Sequence, residues 1–356
     1  MTTLKSLTAE RLDLALTEPF AVATGAPTVA RNVLVRATLD DGTVGLGEAA
    51  PFAEVSGETQ EQTHAAILAM KPLVLGTEVG DWRAVGTMLR EKHLGAPAAR
   101  CGLEMAIIDA LARKAKKPLW KEFGGAGTKL VTDMTVTAGD VEHARRSAKS
   151  IIGRGITTIK VKVGAVSAEE DVKRILAIRE AAPDARLFAD ANSGYDLEQA
   201  TAFARGMDKH HIPLQIFEQP LPRGAHDDWK KLAGLTPIPL CADESARGAA
   251  DVLELARGGS VRFINIKTMK SGIAEAWAMM QAARENGLSL MIGGMVESIL
   301  AMTFSAHLAA GFGGIDIVDL DTPMFIQSHP FKGGFRQNGG DLDVGHIDRG
   351  HGVTMG

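Results

Sequence analysis

Four short apolar runs, each ending on a charge, recur at nearly constant spacing through the middle of the chain. They are Ile159-Lys160-Val161-Lys162-Val163-Gly164, Phe188-Ala189-Asp190-Ala191-Asn192, Ile216-Phe217-Glu218-Gln219-Pro220 and Leu240-Cys241-Ala242-Asp243-Glu244. A fifth, Val261-Arg262-Phe263-Ile264-Asn265-Ile266-Lys267, follows in step. Short β-rich runs that stop at Gly, Pro or Asn read as buried strands meeting loops. Buried strand ends rarely carry Lys, Asp or Glu without a partner. Asp190 to Glu218 is 28 residues, Glu218 to Asp243 is 25 and Asp243 to Lys267 is 24. One strand-plus-helix unit occupies about 25–30 residues, so these charges hold equivalent places on consecutive units. In a parallel barrel all such strand ends open on one face. Three carboxylates and three lysines are therefore expected around one mouth.

The rest of the chain fits that frame. A barrel of this type takes roughly 250 residues, and the chain has 356, which leaves room for a second unit. Residues 1 to about 52 alternate as strands do, with Arg31–Leu39 running through the turn signal Asp40-Asp41-Gly42 into Val44–Ala49. Helical segments are expected over 59–70, 81–91 and 98–116, the last behind Pro97. From 131 onward strands and helices alternate, with strands at 131–137, 157–163 and near 186–190, 214–218, 239–243, 261–267, 288–293 and 315–319. The expected fold is α/β: a (β/α)7β TIM-like barrel over 126–322, an N-terminal α+β capping domain over 1–125, and a Gly-rich tail over 323–356 that packs back on the cap.

Net charge −4 argues against a nucleic-acid or anionic-membrane surface. No run approaches 18 apolar residues, and the N-terminus carries no apolar block of a signal peptide. Two cysteines without a pairing pattern suggest a reduced, cytoplasmic setting. A homo-oligomer is compatible with the chain but not specified by it.

Asp190, Glu218 and Asp243 supply oxygen ligands from separate strand ends, which suits a hard divalent ion such as Mg²⁺; no His or Cys set accompanies them, against zinc. Their alternative is three helix caps or lysine partners. Lys160 and Lys162 lie two apart on one strand and share a face. Side by side, and near a metal, each is expected to lose basicity, as a base near neutral pH requires. The alternative is a pair of surface lysines. Lys267, four strands on, is expected on the opposite wall, where Lys162 and Lys267 could flank one carbon from two sides, removing a proton from one face and returning it to the other; its alternative is a strand-end lysine paired with a neighbouring carboxylate. Asp319 and Asp321 close the eighth strand as a pair able to grip an ammonium group, or else cap the turn before Pro323. Glu297 ends the seventh strand, where it hydrogen-bonds Lys267 or substrate, or caps the next helix.

With these residues the sequence resembles the enolase superfamily, in its muconate-lactonizing subgroup, over nearly the whole chain. The resemblance rests on Lys160-x-Lys162, the acid triad and Lys267 together. It implies Mg²⁺ held by Asp190, Glu218 and Asp243, abstraction of a proton next to a carboxylate, and an enolate stabilised by the metal. It implies that Lys162 and Lys267 are the two acid/base groups, with Lys160 assisting the carboxylate. Within the subgroup Asp319-x-Asp321 is similar to the motif by which dipeptide epimerases hold a free N-terminal ammonium. Thr135 and Met295 resemble positions that line the dipeptide. The implied reaction inverts the α-carbon of the C-terminal residue. Enzymes of this group acting on Ala-Glu tend to carry an arginine near residue 25; here Gly25 stands there and Arg31 begins the next strand. The loop favours a small or apolar side chain over glutamate, and Glu54 is either a partner for a cationic side chain or an exposed loop residue. Relatives that share the lysines but need no ammonium grip are N-acylamino acid racemases, o-succinylbenzoate synthases and muconate cycloisomerases. A non-catalytic metal-binding barrel is the reading from another class.

Overall fold

In the computed structural model, which describes residues 1–22 and 25–356 with the side chain of Glu54 left aside, the N-terminal strand Leu4–Ala15 pairs antiparallel with Val29–Leu39, which pairs in turn with Val44–Ala49. The turn between the last two is made at Gly42, whose φ of 86° suits a residue without Cβ. Three longer helices follow, flanked by the short helices Ala53–Ser56 and Leu119–Glu122. Gln60–Val74 opens on a capping box between Thr59 and Gln62, Trp82–Lys92 on the side chain of Asp81, and Pro97–Lys114 with proline in its first turn. The third helix lies directly on the strand Val44–Ala49. A Cβ at Gly45 would sit 2.1 Å from Ala106 O, and one at Gly47 the same distance from Gly102 O, so two strand glycines set how closely the layers approach.

The parallel sheet comprises Met134–Val136, Thr158–Lys162, Arg186–Asp190, Leu214–Glu218, Leu240–Ala242, Phe263–Ile266, Ser289–Ile292 and Ile317–Val318, each paired with the next in sequence. Among the described residues seven longer helices alternate with these eight strands, from Val141–Gly153 to Ile299–Phe312. The arrangement is a (β/α)7β barrel. First and eighth strands meet at a seam: Asp133 N–H donates to Val318 O at 3.1 Å, and Leu320 N–H to Thr132 Oγ1 at 2.9 Å. Phe188, Ile216, Cys241, Met291 and Ile317 pack together as apolar filling in the barrel. Every residue of the helix Ile299–Phe312 is buried, which accounts for its being largely apolar on all faces, with Thr303, Ser305 and His307 as its polar members.

Two strands differ from the sequence expectation. Residues 131–137 divide between sheets: Lys129–Val131 pairs with Asp341–Asp343 of the tail, and Met134–Val136 joins the barrel. The break falls at Thr132, whose N–H bonds the tail at Gly340 O while its hydroxyl accepts at the seam. The eighth strand shortens from 315–319 to Ile317–Val318, because Asp319 and Asp321 turn into the mouth. The tail forms short antiparallel strands and reaches the cap at Asp109, which accepts from His351 N–H and Leu46 N–H at 3.0 Å each and from Arg113 Nε at 2.6 Å.

Candidate active site

Parallel register fixes the heights of the charged strand ends. Lys162 pairs with Asp190 and Asp190 with Glu218 on neighbouring strands, so all three leave the sheet at one level. Asp190, Glu218 and Asp243 are wholly buried. Lys160 Nζ lies 3.0 Å from Asp190 Oδ2, 2.8 Å from Glu218 Oε2 and 2.7 Å from Asp319 Oδ2. Lys162 Nζ donates to Asp190 Oδ2 at 2.7 Å and to Asn192 Oδ1 at 3.0 Å. Lys267 Nζ is 2.7 Å from Asp243 Oδ2, and Lys270 grips Asp243 Oδ1. Lys160, Lys162 and Lys267 therefore converge on the triad, and all three line one cavity with Thr135, Asn192, Met295, Asp319 and Asp321.

For Lys160 the metal-free electrostatics run opposite to the loss of basicity expected beside a second lysine and a metal. Burial disfavours charge on Lys160 and Lys267, but the surrounding carboxylates outweigh it and hold both lysines above the ordinary value. The reason is geometric, since each ammonium sits on carboxylates and not merely beside another lysine. Burial likewise opposes ionisation of Asp190 and Asp243, and the lysines overcome it and hold both far below the carboxylate range. Glu218, buried beside the charge of Asp190, is pushed up to about 8.

The donor set fits a hard cation. It is all oxygen, drawn from three elements. Glu218 Oε2 and Asp243 Oδ2 are buried and accept no well-directed hydrogen bond, although an ammonium stands beside each. Asn265 Nδ2 donates to Glu218 Oε1 at 2.7 Å, which orients that carboxylate. A tighter cluster lies elsewhere. Among the described residues, one oxygen from each of Asp133, Asp319 and Asp321 lies within 4.8 Å of the other two.

Asp321 Oδ2 accepts the Thr135 N–H at 2.7 Å, and Asp319 Oδ2 accepts from Lys160. Asp321 precedes the turn Thr322–Phe325 but makes no side-chain cap there, so the capping alternative is not realised. Burial, then the charge of Asp319, push Asp321 up to about 7. Glu297 neither caps the next helix nor bonds Lys267. Ser298 is the cap, and Glu297 Oε1 accepts the Met295 N–H at 2.7 Å within its own turn. Phe20, Val22, Phe52 and Val55 of the cap form the apolar wall of the cavity. Gly25 exchanges backbone hydrogen bonds with Val22, bringing that loop back on itself. The Glu54 side chain lies outside the described residues.

Burial, and then the charge of Glu48, push Glu297 up to about 8 from an ordinary value of 4.5. Between these values the folded chain keeps a proton that the unfolded chain has lost. Stability therefore falls as pH rises through this window and levels once both states are ionised. Glutamine mimics the protonated acid and can still accept from Met295. We expect Glu297→Gln to lose less stability than the parent chain between pH 6 and pH 8, by roughly 1–2 kcal/mol in urea unfolding. Parallel loss in both proteins would count against a neutral Glu297.

Sequence reading passed over Asn192, Glu244, Asn265, Lys270 and Asp133. Each had a positional signal: Asn192 stands two residues past Asp190, Glu244 adjoins Asp243, Asn265 is two before Lys267, Lys270 is one helical turn beyond it, and Asp133 is two before Thr135.

Residues 143–356 match the enolase C-terminal domain-like family, and residues 6–124 match the N-terminal domain of mandelate racemase / muconate lactonizing enzyme. The chain is 54% identical to an aromatic dipeptide epimerase of Herpetosiphon aurantiacus, over 99% of both chains. Among solved structures, the L-Ala-D/L-Glu epimerase of Bacillus subtilis in a substrate-liganded complex superposes with a TM-score of 0.96 at 30% identity, covering 99% of both chains. The dipeptide epimerase of Enterococcus faecalis, complexed with Mg and L-Leu-L-Tyr, gives 0.94 at 30% identity, again over 99% of both.

Proposed function

The chain belongs to the mandelate racemase / muconate lactonizing enzyme family of enolase-like proteins, and from that premise we propose that it is a Mg²⁺-dependent dipeptide epimerase. The observation that carries the reading is one cavity lined by both Lys162 and Lys267 and by the pair Asp319 and Asp321. Two lysines supply opposed acid/base groups. The aspartates supply a counter-charge for the ammonium of an unblocked dipeptide.

Asp190, Glu218 and Asp243 are the residues that would hold Mg²⁺. When bound there, the ion supplies positive charge that competes with the lysines for these oxygens, lowers their pKa and stabilises negative charge on the substrate carboxylate. In our reading one of Lys162 and Lys267, in its neutral form, takes the α-proton of the C-terminal residue. The other, as an ammonium, returns a proton to the opposite face, so the stereocentre inverts with no net gain or loss of protons. Lys160 offsets charge on the carboxylate side, and Thr135 holds Asp321 in place through its N–H. Phe20, Val22, Phe52, Val55 and Met295 face the cavity as carbon surface, which favours an apolar or aromatic side chain on the residue being inverted. The same reading places the enzyme in the cytoplasm, on its two free, buried cysteines, and treats 1–125, 126–322 and 323–356 as cap, barrel and returning tail.

The test is a dipeptide library with Mg²⁺ in D₂O, read by mass spectrometry. We expect a gain of one mass unit in dipeptides with an apolar or aromatic C-terminal residue. Gain confined to Xaa-Glu would overturn the assigned specificity. Gain only in N-acylamino acids would replace the dipeptide by a blocked substrate, and exchange in no ligand would leave a metal-binding barrel without catalysis.

A further inference from the structure

Asp133 stands at the barrel seam, 1% exposed, with neither carboxylate oxygen accepting a hydrogen bond from the described residues. Its backbone is fixed: its N–H is bonded to Val318 O, and Thr132 before it is bonded on both sides of the seam. A buried carboxyl without a donor is costly to keep unless something else fills the place. Asp321 Oδ1 is unpartnered in the same way. The groups facing Asp133 are Asp319 and Asp321 from the eighth strand end, Lys160 from the second strand and Glu218 from the fourth, so this corner is short of positive charge.

A primary ammonium suits the three acceptors gathered here. A primary ammonium is tetrahedral and has three N–H donors. With hydrogen bonds of about 2.8 Å its three acceptors lie about 4.6 Å apart. One oxygen from each of Asp133, Asp319 and Asp321 falls within 4.8 Å of the other two.

We propose that Asp133 is a third acceptor for the substrate ammonium, completing with Asp319 and Asp321 a cup that selects a primary amine with three N–H donors. This rests on the dipeptide reading above and names the part of the substrate that the seam recognises. A secondary ammonium, as in an N-methylated or N-terminal prolyl dipeptide, has two N–H donors and leaves one buried acid unpaired.

The first experiment needs no variant: kcat/KM of the wild-type enzyme for a dipeptide and its N-methyl counterpart, with Mg²⁺ present. We expect the N-methyl form to be about tenfold to a hundredfold poorer. Equal values would overturn the proposal even while epimerisation itself stood. The second is Asp133→Asn, which keeps the shape and removes the charge. We expect KM for the free dipeptide to rise about tenfold or more with kcat little changed, and the discrimination against the N-methyl form to shrink. In the absence of substrate the variant should melt no lower than the parent, since it loses a buried carboxylate facing three others. An unchanged KM, or a lowered melting temperature with discrimination intact, would make Asp133 merely structural and overturn the proposal. So would loss of Mg²⁺-induced stabilisation in this variant, which would make the seam a metal site. If Asp133→Asn does not fold, the wild-type comparison decides.

Discussion

Replacing either Lys162 or Lys267 by alanine is expected to lower epimerisation by about 10³-fold or more, a loss typical for a positioned acid/base group. The two variants should nonetheless fold. Asp190 without Lys162 keeps Lys160 at 3.0 Å, and Asp243 without Lys267 keeps Lys270, so neither buried carboxylate is left uncompensated. The variants should also fail differently. Each retains one base and hence one face of the substrate. In D₂O each should exchange the α-proton of one diastereomer with retention, and the reactive diastereomer should be opposite in the two. Epimerisation rates and deuterium content, followed by chiral chromatography with mass detection, separate these outcomes. Wild-type rates in both directions from either variant would end the two-base scheme. Loss of exchange for both diastereomers in both variants would point to a shared structural fault.

The part of this arrangement legible from sequence was the part governed by period. Strand spacing fixed the barrel, and side-chain alternation put Lys160 with Lys162 and Asp319 with Asp321. Register does the rest without information beyond the strands, since Lys162 facing Asp190 facing Glu218 follows from parallel pairing. What sequence did not yield was long-range pairing between polar groups. Nothing local to Thr132 says that its N–H will bond Gly340, and so the expected strand over 131–137 ran through a break between two sheets. Asp133 lay inside that misread strand, and Asp319 and Asp321, which it faces, lie more than 180 residues away. The basicity of Lys160 in the metal-free chain departs from expectation for a related reason. Neighbouring lysines were visible on one strand, but the carboxylates that hold Lys160 come from the third, fourth and eighth strand ends. Glu297 takes the N–H of Met295 two residues back and leaves the helix cap to Ser298, because the turn after the seventh strand folds tightly on itself.

Glu218→Gln should abolish both Mg²⁺ binding and turnover while leaving the metal-free protein as stable as the parent near pH 7. Glu218 is wholly buried and, pushed up to about 8, holds its proton at that pH in the metal-free chain, so the amide is close to the form already present. The hydrogen bond from Asn265 can persist on the amide oxygen. What the amide cannot do is ionise when a cation arrives, and a hard ion held by three carboxylates loses one of its charged ligands. The parent should gain about 2.7 kcal/mol of stability at Mg²⁺ a hundredfold above its Kd, and Glu218→Gln should gain close to none at the same concentration. Thermal unfolding with and without Mg²⁺ gives this directly, independent of any activity assay. Two carboxylate clusters compete for the assignment, and the pattern across variants decides between them. A Mg²⁺ shift lost in Glu218→Gln and kept in Asp133→Asn puts the ion on the triad and leaves the seam to the substrate ammonium. The reverse pattern would place the ion among Asp133, Asp319 and Asp321, where the oxygens are already gathered, and the ammonium would then need another partner.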